Sequence, residues 1–187
     1  MDGRGARVVA VSDVTTGIVN PDGLDLALLS AWVSEHRFQR GCPAGRAVDR
    51  LDVLTTACDV LIPAALEGQI TAENAHRLDC RLVLEAANGP TTPAADRILA
   101  EREIRLVPDV LVNAGGVTVS YFEWVQDQQK LAWDDAEVAR RLHAMLRAAF
   151  ARVLGTSQRL GCDWRTAAQA VALERVAQAA ELRSIYP

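Results

Sequence analysis

Up to Val107 the chain alternates short apolar runs rich in β-branched residues with stretches of mixed polarity. RVVAVSD at 7–13 has no helical period and reads as a buried strand. Turns are expected at Thr16-Gly17 and at NPDG (20–23), followed by an amphipathic helix over 24–36. GCPAG at 41–45 is loop. DVLIP at 59–63 is a second strand closed by Pro63, and Thr71 is the N-cap of a helix running to about 78. RLVLEA at 81–86 gives a third strand, Thr92-Pro93 start a helix to about 102, and IRLV at 104–107 is a fourth strand. Beyond 115 no strand candidate remains, and helices fit about 115–129, 134–157 and 164–183. In the middle one Val138, Leu142, Met145, Ala149 and Val153 fall at three- and four-residue steps, a core-facing stripe. Asp134-Asp135 and Asp163 are placed to cap the last two helices.

Strands alternating with helices at this spacing predict right-handed βαβ units. The fold class is α/β: an incomplete doubly wound parallel sheet with a C-terminal helical extension. One domain spans 1–187, with the sheet region over 1–113 and helices over 114–187.

Composition narrows the partners. A net charge of −4 without a basic run argues against nucleic acid. No apolar run is long enough for a membrane helix, and no secretory pattern opens the chain, so a cytoplasmic protein is expected. Cys42, Cys58, Cys80 and Cys162 form no C-x-x-C pair, so neither a metal site nor a disulfide framework is indicated. Lys130 is the sole lysine among twenty basic residues. His36, His76 and His143 lie in predicted helices beside charged residues, where solvent exposure accounts for them.

The densest cluster of candidate chemistry is NAGGVTVSYFEWVQ at 113–126. Gly115 and Gly116 remove Cβ atoms where a helix begins, so that backbone N–H groups could approach a ligand or neighbouring elements could pack tightly. Val117 and Ser120 share a helical face, with Tyr121, Phe122 and Trp124 as bulk behind them. Asp13 ends the first strand, where a carboxylate either accepts ribose hydroxyls in a dinucleotide-binding sheet or starts the following turn. Ala64 and Ala65 follow the second strand, and Asn88-Gly89 follow the third. Asn88 can donate and accept, matching the carboxamide and ribose groups of a nicotinamide nucleoside. Glu85, buried by pattern, is read as a structural hydrogen-bond partner, with a role in the site as the alternative.

With VVAVSD (8–13), NPDGLDL (20–26), DVLIPAALEGQIT (59–71), EAANGPTTPAAD (85–96) and the tail 165–187, this segment resembles the glutamate dehydrogenase branch of the Glu/Leu/Phe/Val amino-acid dehydrogenase family. The resemblance covers almost the whole chain, in the family's order, and corresponds to its second, Rossmann-like, nucleotide-binding half. It implies reversible hydride transfer between the α-carbon of L-glutamate and C4 of nicotinamide, with 2-oxoglutarate and ammonia released. It implies NAD as cofactor, held by Ser12, Asp13, Ala64, Ala65, Asn88, Gly89 and Asn113. NADP stays open, because the small Ser12 hydroxyl beside Asp13 can tolerate either dinucleotide. Val117 and Ser120 resemble positions lining the amino-acid side-chain pocket, with the Ser120 hydroxyl available to the substrate γ-carboxylate.

Two parts of the family pattern are missing. The strand with its G-x-G-x-x-G loop and helix has no counterpart, since Gly3-Arg4-Gly5 precedes a strand instead of following one. Residues 1–6 read as the end of that helix. The acid–base lysine and aspartate belong to an N-terminal domain, and Lys130 after QDQQ reads as a solvated helix end. The expectation is therefore no catalytic residue in this chain, weak dinucleotide affinity and no deamination by the chain alone. The start could have been assigned too late, or a separate N-terminal-half polypeptide could complete the enzyme. A homo-oligomer, a non-catalytic interaction module and a truncated product are the other readings.

Overall fold

A computed structural model describes residues 5–183. Of the expected helix end at 1–6, only Gly5 and Ala6 are described, and neither is helical; residues 1–4 and 184–187 lie outside the described residues.

The strands form two three-stranded sheets instead of one. In the first, β1 (Ala10–Ser12) pairs antiparallel with β2 (Gly17–Val19), which pairs antiparallel with β3 (Arg46–Val48). In the second, β4 (Val60–Leu61), β5 (Leu82–Leu84) and β6 (Arg105–Val107) run parallel, with Leu61 opposite Val83 and Val83 opposite Leu106. The antiparallel sheet is a correction to the expected run of βαβ units. Only residues 13–16 join β1 to β2, a connection too short for a parallel crossover. The expected turn at Thr16-Gly17 is the entry to β2, whose three residues are buried. Gly17 is required there by a close approach, since a Cβ would meet Val53 Cγ2 at 2.6 Å and Val48 Cγ2 at 2.8 Å.

α1 (Leu26–His36) follows β2, with the Asp25 carboxylate accepting from the Leu28 N–H at 2.9 Å. α2 (Pro93–Glu101) crosses between β5 and β6, with the Thr92 hydroxyl accepting from the Ala95 N–H. The helix expected from Thr71 is a single 3₁₀ turn, Ala75–Arg77. Asn74 ties the chain back on itself, accepting from the Thr71 N–H and donating to the Gln69 carbonyl. The three-residue period of that turn buries Ala75 and Leu78 together. Arg102 closes it from α2's end, donating to the Ala75 and Leu78 carbonyls at 2.6 and 2.7 Å.

After β6 the chain is helical: α3 (Asp109–Val112), α4 (Ala114–Gln129), α5 (Asp135–Leu160) and α6 (Trp164–Arg183). Asp134 caps α5 and Asp163 caps α6, as their positions in the sequence lead one to expect. In the predicted stripe of α5, Val153 is buried but Met145 is 47% exposed, because α5 covers its neighbours only along part of its length.

Three hydrophobic cores result. Leu61, Ile70, Leu78, Val83, Leu99 and Ile104 pack under the parallel sheet. Ile18, Leu24, Leu29 and Cys42 pack between the antiparallel sheet and α1. Val153, Ala167 and Ala168 join α5 to α6. Among the described residues no helix is long and apolar enough to cross a membrane, and no cluster of His, Cys, Asp and Glu is placed to hold a metal.

Candidate functional site

The expected site residues follow the carboxyl ends of strands, where open α/β sheets bind ligands. They fall into two groups. The first lies at the end of the parallel sheet. Asn113 Nδ2 donates to Asn88 Oδ1 at 2.6 Å, so two residues 25 positions apart meet side chain to side chain. That contact leaves Asn88 Nδ2 as a donor and Asn113 Oδ1 as an acceptor, a pairing complementary to a primary carboxamide. Gly89 adopts the left-handed φ of 52°, which its missing Cβ makes inexpensive. Its carbonyl accepts from the Gly68 N–H at 2.9 Å. Ala64 and Ala65 are exposed just past Pro63, whose carbonyl accepts from the Ala86 and Ala87 N–H groups, so this segment is fastened to the same edge.

The second group, Ser12 and Asp13, ends β1 in the antiparallel sheet, and no hydrogen bond joins it to the first group among the described residues. Asp13 organises its own turn. Oδ1 accepts from the Thr15 N–H at 2.7 Å, the Thr15 hydroxyl at 2.6 Å and the Thr16 N–H at 3.2 Å. Oδ2 accepts from the Gln39 N–H at 2.7 Å and keeps a lone pair available. Burial pushes this carboxyl up, but the donors from Thr15, Gln39 and Thr16 outweigh it and hold Asp13 below its ordinary value. It stays ionised at neutral pH. Ser12 beside it is exposed.

α4 begins directly after Asn113. A Cβ at Gly115 or Gly116 would meet nothing within 4 Å, so packing within the chain does not account for either glycine. Val117 is 72% exposed and Ser120 lies exposed on the same face. The aromatics divide differently from expectation. Phe122 is buried and meets Trp133 edge-on at 5.7 Å. Tyr121 and Trp124, at helical spacing from Val117, stack on each other in solvent at 6.0 Å. The exposed face of α4 thus carries Val117, Ser120, Tyr121 and Trp124.

Beneath the first group lies an ionic cluster that only Glu85 announced in the sequence. Glu85 is fully buried; its Oε1 accepts from Arg165 Nη2 at 2.8 Å and its Oε2 from the Asp109 N–H at 3.0 Å. Arg165 Nη2 also donates to Asp96 Oδ1 at 3.2 Å, and Arg165 Nε lies 2.6 Å from Asp96 Oδ2 as an ion pair whose N–H is not aligned for a hydrogen bond. Burial alone would lower the Arg165 guanidinium, but Glu85 and Asp96 raise it, so it remains charged throughout. Asp96 is pushed up by burial, more than Arg165 pulls it down. A lone Glu in an otherwise apolar strand end demands a buried partner; nothing in the sequence says that the partner is an Arg eighty residues away.

Burial pushes Cys80 up to about 11, helped by the neighbouring Cys58, and burial with the Asp59 and Asp79 carboxylates raises Cys58, so both are thiols at neutral pH. Lys130 is exposed at the left-handed end of α4. His36 stacks on Trp32 at 4.0 Å, and all three histidines are exposed.

A parallel sheet flanked by helices, with its polar groups gathered past the strand ends, defines a Rossmann-like α/β domain. Residues 1–184 match the model of the Glutamate/Leucine/Phenylalanine/Valine dehydrogenase family, and the chain belongs to that family. It is 49% identical to the glutamate dehydrogenase of Thermotoga maritima over 183 residues, covering 98% of this chain and 44% of the relative. It is 44% identical to the NAD-specific glutamate dehydrogenase A of Halobacterium salinarum, covering 100% of this chain and 43% of the relative. Among solved structures, the hetero-hexameric glutamate dehydrogenase of Thermus thermophilus, in its Leu-bound form, superposes with a TM-score of 0.91 at 33% identity, over 100% of this chain and 44% of that one. The chain thus spans less than half the length of the relatives it matches.

Proposed function

We propose that this chain is the dinucleotide-binding half of a glutamate dehydrogenase, and that Asn88, Gly89 and Asn113 hold the nicotinamide end of NAD. One observation carries the reading: two asparagine side chains joined at 2.6 Å past the ends of parallel strands, one keeping its amide nitrogen and the other its amide oxygen for a ligand. Nothing lies within 4 Å of where a Cβ of Gly115 or Gly116 would stand, which leaves the start of α4 open to a ligand. Asp13, ionised and with capacity left on Oδ2, accepts from the ribose hydroxyls and disfavours a 2′-phosphate, which selects NAD over NADP. The NAD-specific name of the Halobacterium relative agrees with that choice. Ala64 and Ala65 provide a small-residue surface for the adenosine ribose.

The reaction is L-glutamate, NAD⁺ and water giving 2-oxoglutarate, ammonium, NADH and a proton. Bound nicotinamide supplies the hydride acceptor. The chain's own residues orient it: Asn88 Nδ2 donates to its carboxamide oxygen, and Asn113 Oδ1 accepts from its amide. Val117 and Ser120 form one wall of the amino-acid pocket, with Ser120 donating to the substrate γ-carboxylate. Proton transfer falls to a group outside these residues, and the chain alone is inactive. A second half, on the same polypeptide or a separate one, supplies that group and covers the exposed face of α4. Solvent exposure of Val117, Tyr121 and Trp124 favours such a cover.

Titration with NADH, followed by backbone and side-chain amide NMR, tests the reading. Saturable shifts at Gly89 and at the Asn88 and Asn113 side chains are expected, at low affinity. Shifts confined to other surfaces, or none, would overturn it. Glutamate-dependent reduction of NAD⁺ by the chain alone would overturn the assignment of inactivity.

A further inference from the structure

We propose that Asp109 is a positioning residue for the asparagine pair, and that Arg165 and Glu85 anchor it from the interior; its functional meaning rests on the site reading above. Asp109 meets both arms of the pair through different atoms. Its Oδ2 accepts from the Gly89 N–H at 2.8 Å, which fixes the residue adjoining Asn88. Its carbonyl accepts from the Asn113 N–H at 2.9 Å, which fixes the other asparagine. Its own N–H donates to the buried Glu85, and Glu85 is held by Arg165 of α6. Asp109 Oδ1 accepts from the Val110 N–H at 2.7 Å and lies 4.0 Å from Arg165 Nη1.

The chain of contacts runs from the last helix through a buried carboxylate to one largely buried aspartate, and from there to both asparagines. Its geometry answers a specific need. Asn88 and Gly89 are exposed, and Gly89 has a left-handed backbone with open space where a Cβ would stand. The backbone there is held by polar contacts, two of them to Gly89: the N–H to Asp109 and the carbonyl to Gly68. Removing the Asp109 carboxylate releases the Gly89 N–H and loosens the arm carrying Asn88, which the Gly68 contact still holds on one side. It leaves in place the Asp109 backbone bonds that hold Glu85 and Asn113.

The test compares Asp109→Ala and Asp109→Asn with the unaltered chain. Amide exchange needs no ligand. In Asp109→Ala the Gly89 N–H should exchange roughly tenfold faster or more, the size of one lost charge-assisted hydrogen bond. The Asn113 side-chain amide should move to its solvent-exposed position, while amides in the parallel sheet keep their protection. Asp109→Asn retains one carboxamide oxygen and should recover part of the Gly89 protection. NADH and ADP-ribose titrations then separate positioning from general weakening. Asp109→Ala should weaken NADH roughly tenfold, by the same bond, and leave ADP-ribose unchanged. Unchanged Gly89 exchange would overturn the proposal, as would equal weakening of both nucleotides. If the unaltered chain shows no NADH binding, the site reading fails, while the exchange measurement still decides whether Asp109 holds the pair.

Discussion

Arg165 is the residue on which most of the polar interior depends. Its guanidinium faces Glu85, Asp96 and Asp109, so removing it strands a fully buried carboxylate. Arg165→Met should cost about 3–5 kcal/mol in urea unfolding, as for other broken buried pairs, and Glu85→Gln in the same chain should recover part of that. A loss below about 1 kcal/mol, the range of an exposed pair, would show that Glu85 is not dependent on it. Glu137 behaves differently because it is on the surface. Hydrogen bonds from Arg140 and Arg141 hold its carboxyl down to about 2, from an ordinary 4.5. A depressed acid contributes stability above its unfolded value and loses it as pH falls toward its folded one. Acid unfolding between pH 4.5 and 2 should therefore be shallower in Glu137→Gln than in the parent chain, as read by denaturant midpoints across that window. Glu85 was legible in sequence as a buried carboxylate in need of a partner. Arg165, Asp96 and Asp109 were not, because sequence patterns report which side chain is buried and not which distant side chain meets it.

At the scale of elements, the long helices were the most legible. Their apolar periodicity and capping residues repeat over many turns, and α4, α5 and α6 begin within a residue of expectation. Asp163 is one such cap: its carboxylate accepts from the Thr166 N–H at 2.9 Å and the Thr166 hydroxyl at 2.7 Å. Asp163→Ala should destabilise the chain by about 1 kcal/mol. The loss should appear first as faster amide exchange in the opening turn of α6; uniform acceleration everywhere would count against a capping role. The short elements were harder. β2 hides behind Thr16-Gly17 because its glycine serves a close approach to Val48 and Val53, contacts set by residues thirty or more positions away. β3 has two exposed residues of three and offers no alternation to detect. The 3₁₀ turn at Ala75–Arg77 has no side-chain cap of its own: the Thr71 hydroxyl, the expected cap, accepts from the Glu73 N–H, and Asn74 and Arg102 take up the neighbouring backbone groups.

For the whole molecule, the fold class and the order of the parallel strands and long helices follow from the alternating pattern. The separation into two sheets does not, because strand pairing depends on chain connections and on neighbours that a period cannot reveal. The same separation governs how the molecule comes apart. Each sheet packs over its own apolar cluster, and the α5–α6 hairpin has a third. Units that share few contacts open independently, each at its own free energy. Hydrogen exchange should accordingly resolve at least two steps. Amides of β1, β2 and β3 should open together before those of β5 and β6, whose cluster contains Ile70, Leu78 and Val83 with no exposed surface. A single exchange free energy for all six strands would show one cooperative unit instead. If the steps are separate, partial opening of the antiparallel unit leaves the Asn88–Asn113 contact intact. Proteases would then cut first around residues 20–50, and a stable core carrying that contact would outlast the intact chain.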